Sequence, residues 1–277
     1  MKPVADALGV ARSNVVEQLA TTETKSSPPR GREADEDLLT RIRSIVDARG
    51  SYGYRRVTRL LARQLDAESL PRVNHKRVYR VMRAEGLLLA RHTGKSSRTH
   101  DGVIITLKSN LRWCSDGFEI RCWNGERVNV AFSLDTCDRE AMSYVATTGG
   151  ISGEMIRDLM LTTVEHRFGA GARHVPNPIE WLSDNGSCYT AHETVAFGES
   201  LGLLICTTPV YSPESNGMAE AFVKTFKRDY VYLNQLETAA NVMRQLPTWF
   251  DDYNEVAPHR GLKMRSPREY MRLVSTR

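Results

Sequence analysis

The spacing of apolar residues changes once along this chain, near residue 110, and that change restricts the fold more than any other feature. Before it, apolar side chains recur at helical intervals. Leu38, Leu39, Ile42, Ile45 and Val46 form a stripe that ends near Gly50; Val57, Leu60, Leu61 and Leu65 form a second, and Val78, Val81 and Met82 a third. The third helix is expected to start after Pro71 with Asn74 as its N-cap and to stop at Gly86, where a left-handed residue suits a helix end. Beyond the change, segments 111–121, 127–135 and 140–147 alternate or run apolar, with Asn124-Gly125 as a hairpin turn between the first two. A helix over about 152–168 follows, then a strand over 178–183 and a helix from about 190, where Thr190 and Glu193 have capping-box spacing. A short strand over 203–207 and a long helix over about 216–234 complete the pattern.

Three strands in a meander, then helix, strand, helix, strand and helix, is the order of a ribonuclease-H-like α/β fold. The expected architecture is such a catalytic domain preceded by a small all-helical helix-turn-helix domain. The boundaries read from composition are a helical remnant and linker over 1–33, the helix-turn-helix domain over 34–92, a polar linker over 93–108, the core over 109–235 and a helical extension over 236–277. Within the first segment, VADALGVARSNVVEQL (residues 4–19) has a short helical pattern and TTETKSSPPRGREADED reads as linker.

No apolar run approaches the roughly 20 residues of a membrane span. MKPVADALGV lacks the charged, apolar and small-residue order of an export signal, so the expected location is the cytoplasm, on the nucleoid. Five cysteines, an odd set without a C-x-x-C pair, argue against a disulfide framework or a structural zinc. The seven histidines have no metal-ligand spacing, and no P-loop predicts a nucleotide cofactor.

Charge is unevenly distributed. Residues 41–100 hold 15 Lys and Arg against 4 Asp and Glu, whereas residues 101–277 hold 18 against 22. A basic segment joined to a mildly acidic one suggests a nucleic-acid grip attached to something else. The third helix presents Lys76, Arg77, Arg80 and Arg83, and the second Arg55 and Arg56. Cations on a short final helix suit the major groove, where they neutralise phosphates and reach base edges; a solvated helical face has the same composition.

Three acids stand out. Alternation in LRWCSDGFEIR puts Asp116 on the apolar face with Cys114, Phe118 and Ile120, so its carboxylate needs either an arginine or a bound cation. Asp184 ends the strand IEWLSDNGS, where ligands of α/β sheets collect, although an Asp before Asn-Gly also serves as a turn residue. Glu220 shares a helix face with Lys224, Lys227 and, one turn earlier, Asn216, opposite the apolar stripe of Phe222, Val223 and Phe226. Carboxylates on separate elements suit Mg²⁺, and a pair of such ions suits in-line phosphoryl transfer. Asp135 and Asp138 are rival acids.

The chain resembles the bacterial insertion-sequence transposases whose catalytic protein comes from a second reading frame. The carriers are YGYRRVTRLL, NHKRVYRVM, WCSDGFEI, WLSDNGSCY, SPESNGMAEAFVKTFKRDY and YNEVAPHRGLKMRSPREY, with 35 residues between Asp184 and Glu220 as in the D, D-35-E motif. The resemblance implies that Asp116, Asp184 and Glu220 bind two Mg²⁺ ions, with Mn²⁺ as a substitute. It implies DNA-end cleavage by water and strand transfer by a DNA 3′-OH. Lys224 and Lys227 are then DNA contacts, to which Arg228, Asn216 and Asn185 are added. The expected partners are double-stranded DNA of element ends and target, further copies of the chain on that DNA, and a first-reading-frame product. That product usually carries the main end-recognition module, so this chain is expected to be part of a larger fusion. Two other readings remain: a non-catalytic DNA-binding regulator of a full-length transposase, and a ribonuclease acting on hybrids.

Overall fold

The computed structural model describes residues 32–90, 106–208 and 217–275. The helical pattern expected near the N-terminus, and Asn216, lie outside the described residues. The chain divides into two compact units, Met1–Ser44 and Ile45–Arg277, with the division inside helix α1 (Arg32–Ala48). In the first unit, successive turns of α1 are tied by Arg41 to Asp37 at 3.1 Å and by the Thr40 hydroxyl to the Glu36 carbonyl.

The second unit opens with two helices, α2 (Tyr54–Ala67) and α3 (His75–Ala84). The predicted stripes are the ones that are buried, through Val57, Leu61 and Leu65 on α2 and Val78 and Met82 on α3. Asn74 caps α3, its side chain accepting the Lys76 N–H at 2.9 Å. Gly86 takes φ +68°, and the Leu87 N–H closes back onto the Met82 carbonyl, the Schellman arrangement that ends the helix as expected.

The rest is a five-stranded sheet in the order β3-β2-β1-β4-β5, from β1 (Arg112–Arg121), β2 (Arg127–Asp135), β3 (Ala141–Thr147), β4 (Ile179–Ser183) and β5 (Leu203–Thr207). The first three pair antiparallel; β4 runs parallel to β1 and β5 parallel to β4. The first hairpin is closed by the Gly125 N–H onto the Cys122 carbonyl with only Gly125 at positive φ, a bulged turn in which Asn124 keeps an ordinary φ. Helix α4 (Gly153–Phe168) joins β3 to β4; a single turn α5 (Ser187–Thr190) and helix α6 (His192–Ser200) join β4 to β5. Helices α7 (Gly217–Asp229), α8 (Ala239–Glu255) and α9 (Pro267–Ser275) follow. This is the α/β, ribonuclease-H-like order read from the sequence, with the helical module before it.

Each sheet face has its own core. Trp113, Ala131, Met142 and Trp181 pack with Ile156, Leu159, Met160 and Val164 of α4 on one side. On the other, Cys114, Phe118, Ile120, Phe132 and Leu134 meet Phe222 and Phe226 of α7 and Trp249, Phe250 and Tyr253 of α8. Phe222 lies 4.3 Å from Phe132 and Phe226 4.7 Å from Phe250, between ring centroids. Burying each such ring contributes roughly 1.5–3 kcal/mol, which holds α7 against the sheet.

Two element expectations need correction. The helix expected to reach residue 234 stops at Asp229, because that carboxylate is drawn into the protein by Ser51, Arg56 and Arg228; a 3₁₀ turn, Val231–Leu233, replaces the last part. The capping box at Thr190 and Glu193 does not form: Thr190 belongs to α5 and donates to the Gly186 carbonyl, while Glu193 pairs with Arg157 at 3.4 Å.

Candidate active site

The parallel register pairs Cys114 with Leu182, and extending it by two residues sets Asp116 level with Asp184. Adjacent strands stand about 4.8 Å apart, so this register directs the two acids toward the same end of the strand pair. It is a place where ligands gather in open α/β sheets, because the chain leaves β1 towards β2 and leaves β4 towards β5, in opposite directions. Glu220 reaches the same neighbourhood in the first turn of α7, one residue past Ala219, which is buried on the face shared with Cys114 and Phe118.

Asp116 is half-buried mid-strand, and its Oδ1 accepts the N–H of Gly117 at 2.7 Å. Among the described residues no arginine or lysine pairs with it. Of the two ways to satisfy an inward carboxylate, the arginine is therefore not the one found here. Burial pushes Asp116 up to about 6; the Gly117 amide opposes this, and the negative charges of Asp184 and Glu220 add to it. Asp184 and Glu220 thus both act electrostatically on Asp116.

Asp184 is exposed just past β4, with Oδ1 accepting the Gly186 N–H at 3.0 Å, so its turn role is realised as well. A side chain at Gly186 would press on that same oxygen at 3.0 Å, which favours glycine there. Asn185 donates through Nδ2 to the Thr208 carbonyl at 2.8 Å and so ties the ends of β4 and β5. Glu220 is exposed, with Lys224 Nζ at 3.9 Å from Oε2. Lys227 lies with its Nζ 5.7 Å from the centre of the Phe118 ring, beside the strand of Asp116. Behind Asp116, the Ser115 and Tyr189 hydroxyls meet at 2.9 Å in the opposite core; burial drives Tyr189 upward. Tyr189 escaped sequence reasoning although it closes WLSDNGSCY, because an aromatic residue beside an Asp-Asn-Gly turn has no period to mark it.

Among the described residues, no group of three His, Cys, Asp or Glu side chains stands at metal-holding distances. The rival acids are structural. Asp135 and Asp138 are fully buried, and both pair with Arg167, at 3.7 and 3.1 Å. Asp135 also receives the N–H groups of Asn110, Cys137 and Asp138.

The basic residues divide. Lys76, Arg80 and Arg83 are exposed along α3, Arg77 is half-buried, and Arg55 is exposed with its guanidinium 5.8 Å from the Tyr54 ring centre. Arg56 binds buried Asp229 at 2.6 Å, an internal ion pair. Arg228 joins the same carboxylate from α7.

A family model described as an HTH-like domain matches residues 33–95, and two described as an integrase core domain match 107–213 and 201–267. Transposase InsD for insertion element IS2A/D/F/H/I/K of Escherichia coli is 47% identical over 273 residues, covering 97% of this chain and 90% of the relative. Transposase InsD for IS2D of E. coli strain K12 matches equally. Among solved structures, a simian T-cell lymphotropic virus intasome in complex with PP2A regulatory subunit B56 gamma aligns with TM-score 0.48 at 17% identity, over 72% of this chain and 66% of that one. The catalytic core domain of BIV integrase aligns with TM-score 0.40 at 21% identity, over 60% and 97%. With near half identity along almost its whole length, and HTH-like and integrase-core segments in that order, the chain belongs to the insertion-element transposases.

Proposed function

We propose that this transposase cuts and joins the DNA ends of its element at a site made of Asp116, Asp184 and Glu220. The observation that carries the reading is Asp116, a half-buried carboxylate with no basic partner among the described residues and with two further acids acting on it. A carboxylate in that position lacks a countercharge, and a divalent cation supplies one. The donors fit: oxygen ligands from separate rigid elements are what Mg²⁺ takes, usually beside substrate phosphate, and Mn²⁺ accepts the same set. When bound, a pair of such ions lowers the pKa of an attacking water or 3′-OH and stabilises the leaving oxygen.

The chain's own residues then have separable tasks. The β1–β4 register supports Asp116 and Asp184 as neighbours, and the aromatic packing of α7 supports Glu220 as the third member. Lys224, exposed beside Glu220, and Lys227 contact the DNA backbone near the reacting phosphate, with Asn216 and Arg228 as further contacts. The exposed cations of α3 and Arg55 hold the duplex elsewhere, and several copies of the chain, with a first-reading-frame product, assemble on the two ends.

Glu220→Gln tests this. With Mg²⁺ and end DNA, the variant is expected to bind DNA as the parent does while cleavage and joining both fall at least about a thousand-fold, the scale of losing a group that acts only in the transition state. A variant that still cut at a comparable rate would remove Glu220 from the chemistry.

A further inference from the structure

A groove of about 590 Å³ runs along α2 to the start of α3, lined by Arg55, Thr58, Arg59, Arg72 and His75, with Met264 closing one side. A second, of about 280 Å³, shares Arg55 and Met264 and adds Arg56 and Arg260. Five guanidinium side chains thus face one cleft, and no Asp or Glu lines either part. Some of that charge is already answered: Arg56 by Asp229, Arg72 by Asp66, and Arg59 at 3.4 Å by Glu269. Arg55 and Arg260 have no carboxylate partner among the described residues.

Guanidinium donors dominate the polar groups of the cleft. The Thr58 hydroxyl already donates to the Tyr54 carbonyl, and the Asn74 oxygen is engaged in capping α3. What is left, beside the His75 ring and the Tyr54 hydroxyl that accepts from Arg55 Nε, is guanidinium N–H, which can only donate, and that matches a ligand that only accepts. A phosphodiester is such a ligand, whereas a base edge presents donors and acceptors together.

The far wall is a loop closed by the bridge between His259 and Arg265. Within it, Lys263 and Met264 both adopt left-handed φ, +55° and +63°, and the Met264 N–H is held by the His259 carbonyl at 2.8 Å. Two consecutive non-glycine residues in that region strain the backbone, a cost that segments clamping ligands commonly carry. The loop also presents Arg260, Lys263 and Arg265 without an acid among them.

We propose that this cleft, between α2 and the 259–265 loop, is a phosphodiester-binding site that grips the DNA backbone without regard to sequence, separate from the exposed face of α3 and from the acidic site. It rests on the reading of DNA as substrate given above.

The test is anisotropy of the full chain with fluorescent duplexes, one bearing the element's end and one of unrelated sequence, over a range of salt. Arg55→Gln with Arg260→Gln is expected to weaken both duplexes about ten-fold and to lower the salt slope by about 2, one for each phosphate no longer neutralised. Ala62, half-buried and lining the larger groove, supplies a control against misfolding. Ala62→Glu should weaken binding and Ala62→Lys strengthen it, opposite signs that a merely damaged fold cannot produce. Unchanged slope and affinity in these variants, beside a parent that binds, would overturn the cleft alone. Loss confined to the element's end would overturn it too, by showing base readout. A parent that binds neither duplex would overturn the reading of DNA as substrate along with it.

Discussion

His259 shows how one side chain ties stability to pH. Burial, then the neighbouring cations of Arg56 and Arg139, push its imidazole down to about 3; among the described residues its Nε2 has no hydrogen-bond partner, and the Tyr253 ring meets it edge-on at 4.7 Å. In the unfolded chain the group takes up a proton as pH falls through 6.5, its ordinary value. The folded chain refuses that proton until about 3, so stability is lost as pH falls through this window and regained above it. For one group the slope is about 1.4 kcal/mol per pH unit. Urea titrations at several pH values should show His259→Gln losing less stability on acidification than the parent; equal losses would mean the imidazole is not held neutral. At this scale the sequence was informative about direction and silent about partners. The two-residue period of β1 placed Asp116 on the inner face with Cys114 and Phe118, but nothing local marks Arg167 as the partner of Asp135 and Asp138, since that pairing depends on how α4 lies over the sheet.

Among the elements, α7 carries the most consequence. Phe226 is fully buried and touches Phe118, Tyr230, Trp249 and Phe250, so Phe226→Ala is expected to cost about 3–5 kcal/mol of stability, read as a shift of the denaturation midpoint. A cost below about 1 kcal/mol would mean the helix is held by something other than its rings. The start of α7 and its apolar stripe were legible, because periodicity reports which side of a helix is buried. Its end was not: Asp229 stops the helix through residues far away in sequence. The cap and stop signals at Asn74 and Gly86 were legible for the opposite reason, since their partners lie within a few residues.

For the whole molecule, the basic stretch reads in sequence as a grip on nucleic acid, and part of it serves an internal purpose. Arg49 pairs with Asp252, Arg56 and Ser51 with Asp229, and Arg63 with Glu269 and the Val256 carbonyl. Composition counts cations without saying what faces them, so this fastening of α2 and its preceding turn to α7, α8 and α9 was invisible in the sequence. Asp229→Asn should therefore do more than lower stability by about 3 kcal/mol, the scale of breaking a buried ion pair. Amide exchange should become faster along α2 as well as α7, whereas exchange confined to α7 would show that the two are not fastened there. The same anchor has a mechanical consequence. Asp229 pins one end of a rod whose other end bears Glu220, nine residues or roughly 13 Å away at about 1.5 Å per residue. A tilt of about 10° about the pinned end would swing the carboxylate by roughly 2 Å, so the fastening acts as a fulcrum: a small disturbance at Arg56 arrives magnified where the acids meet.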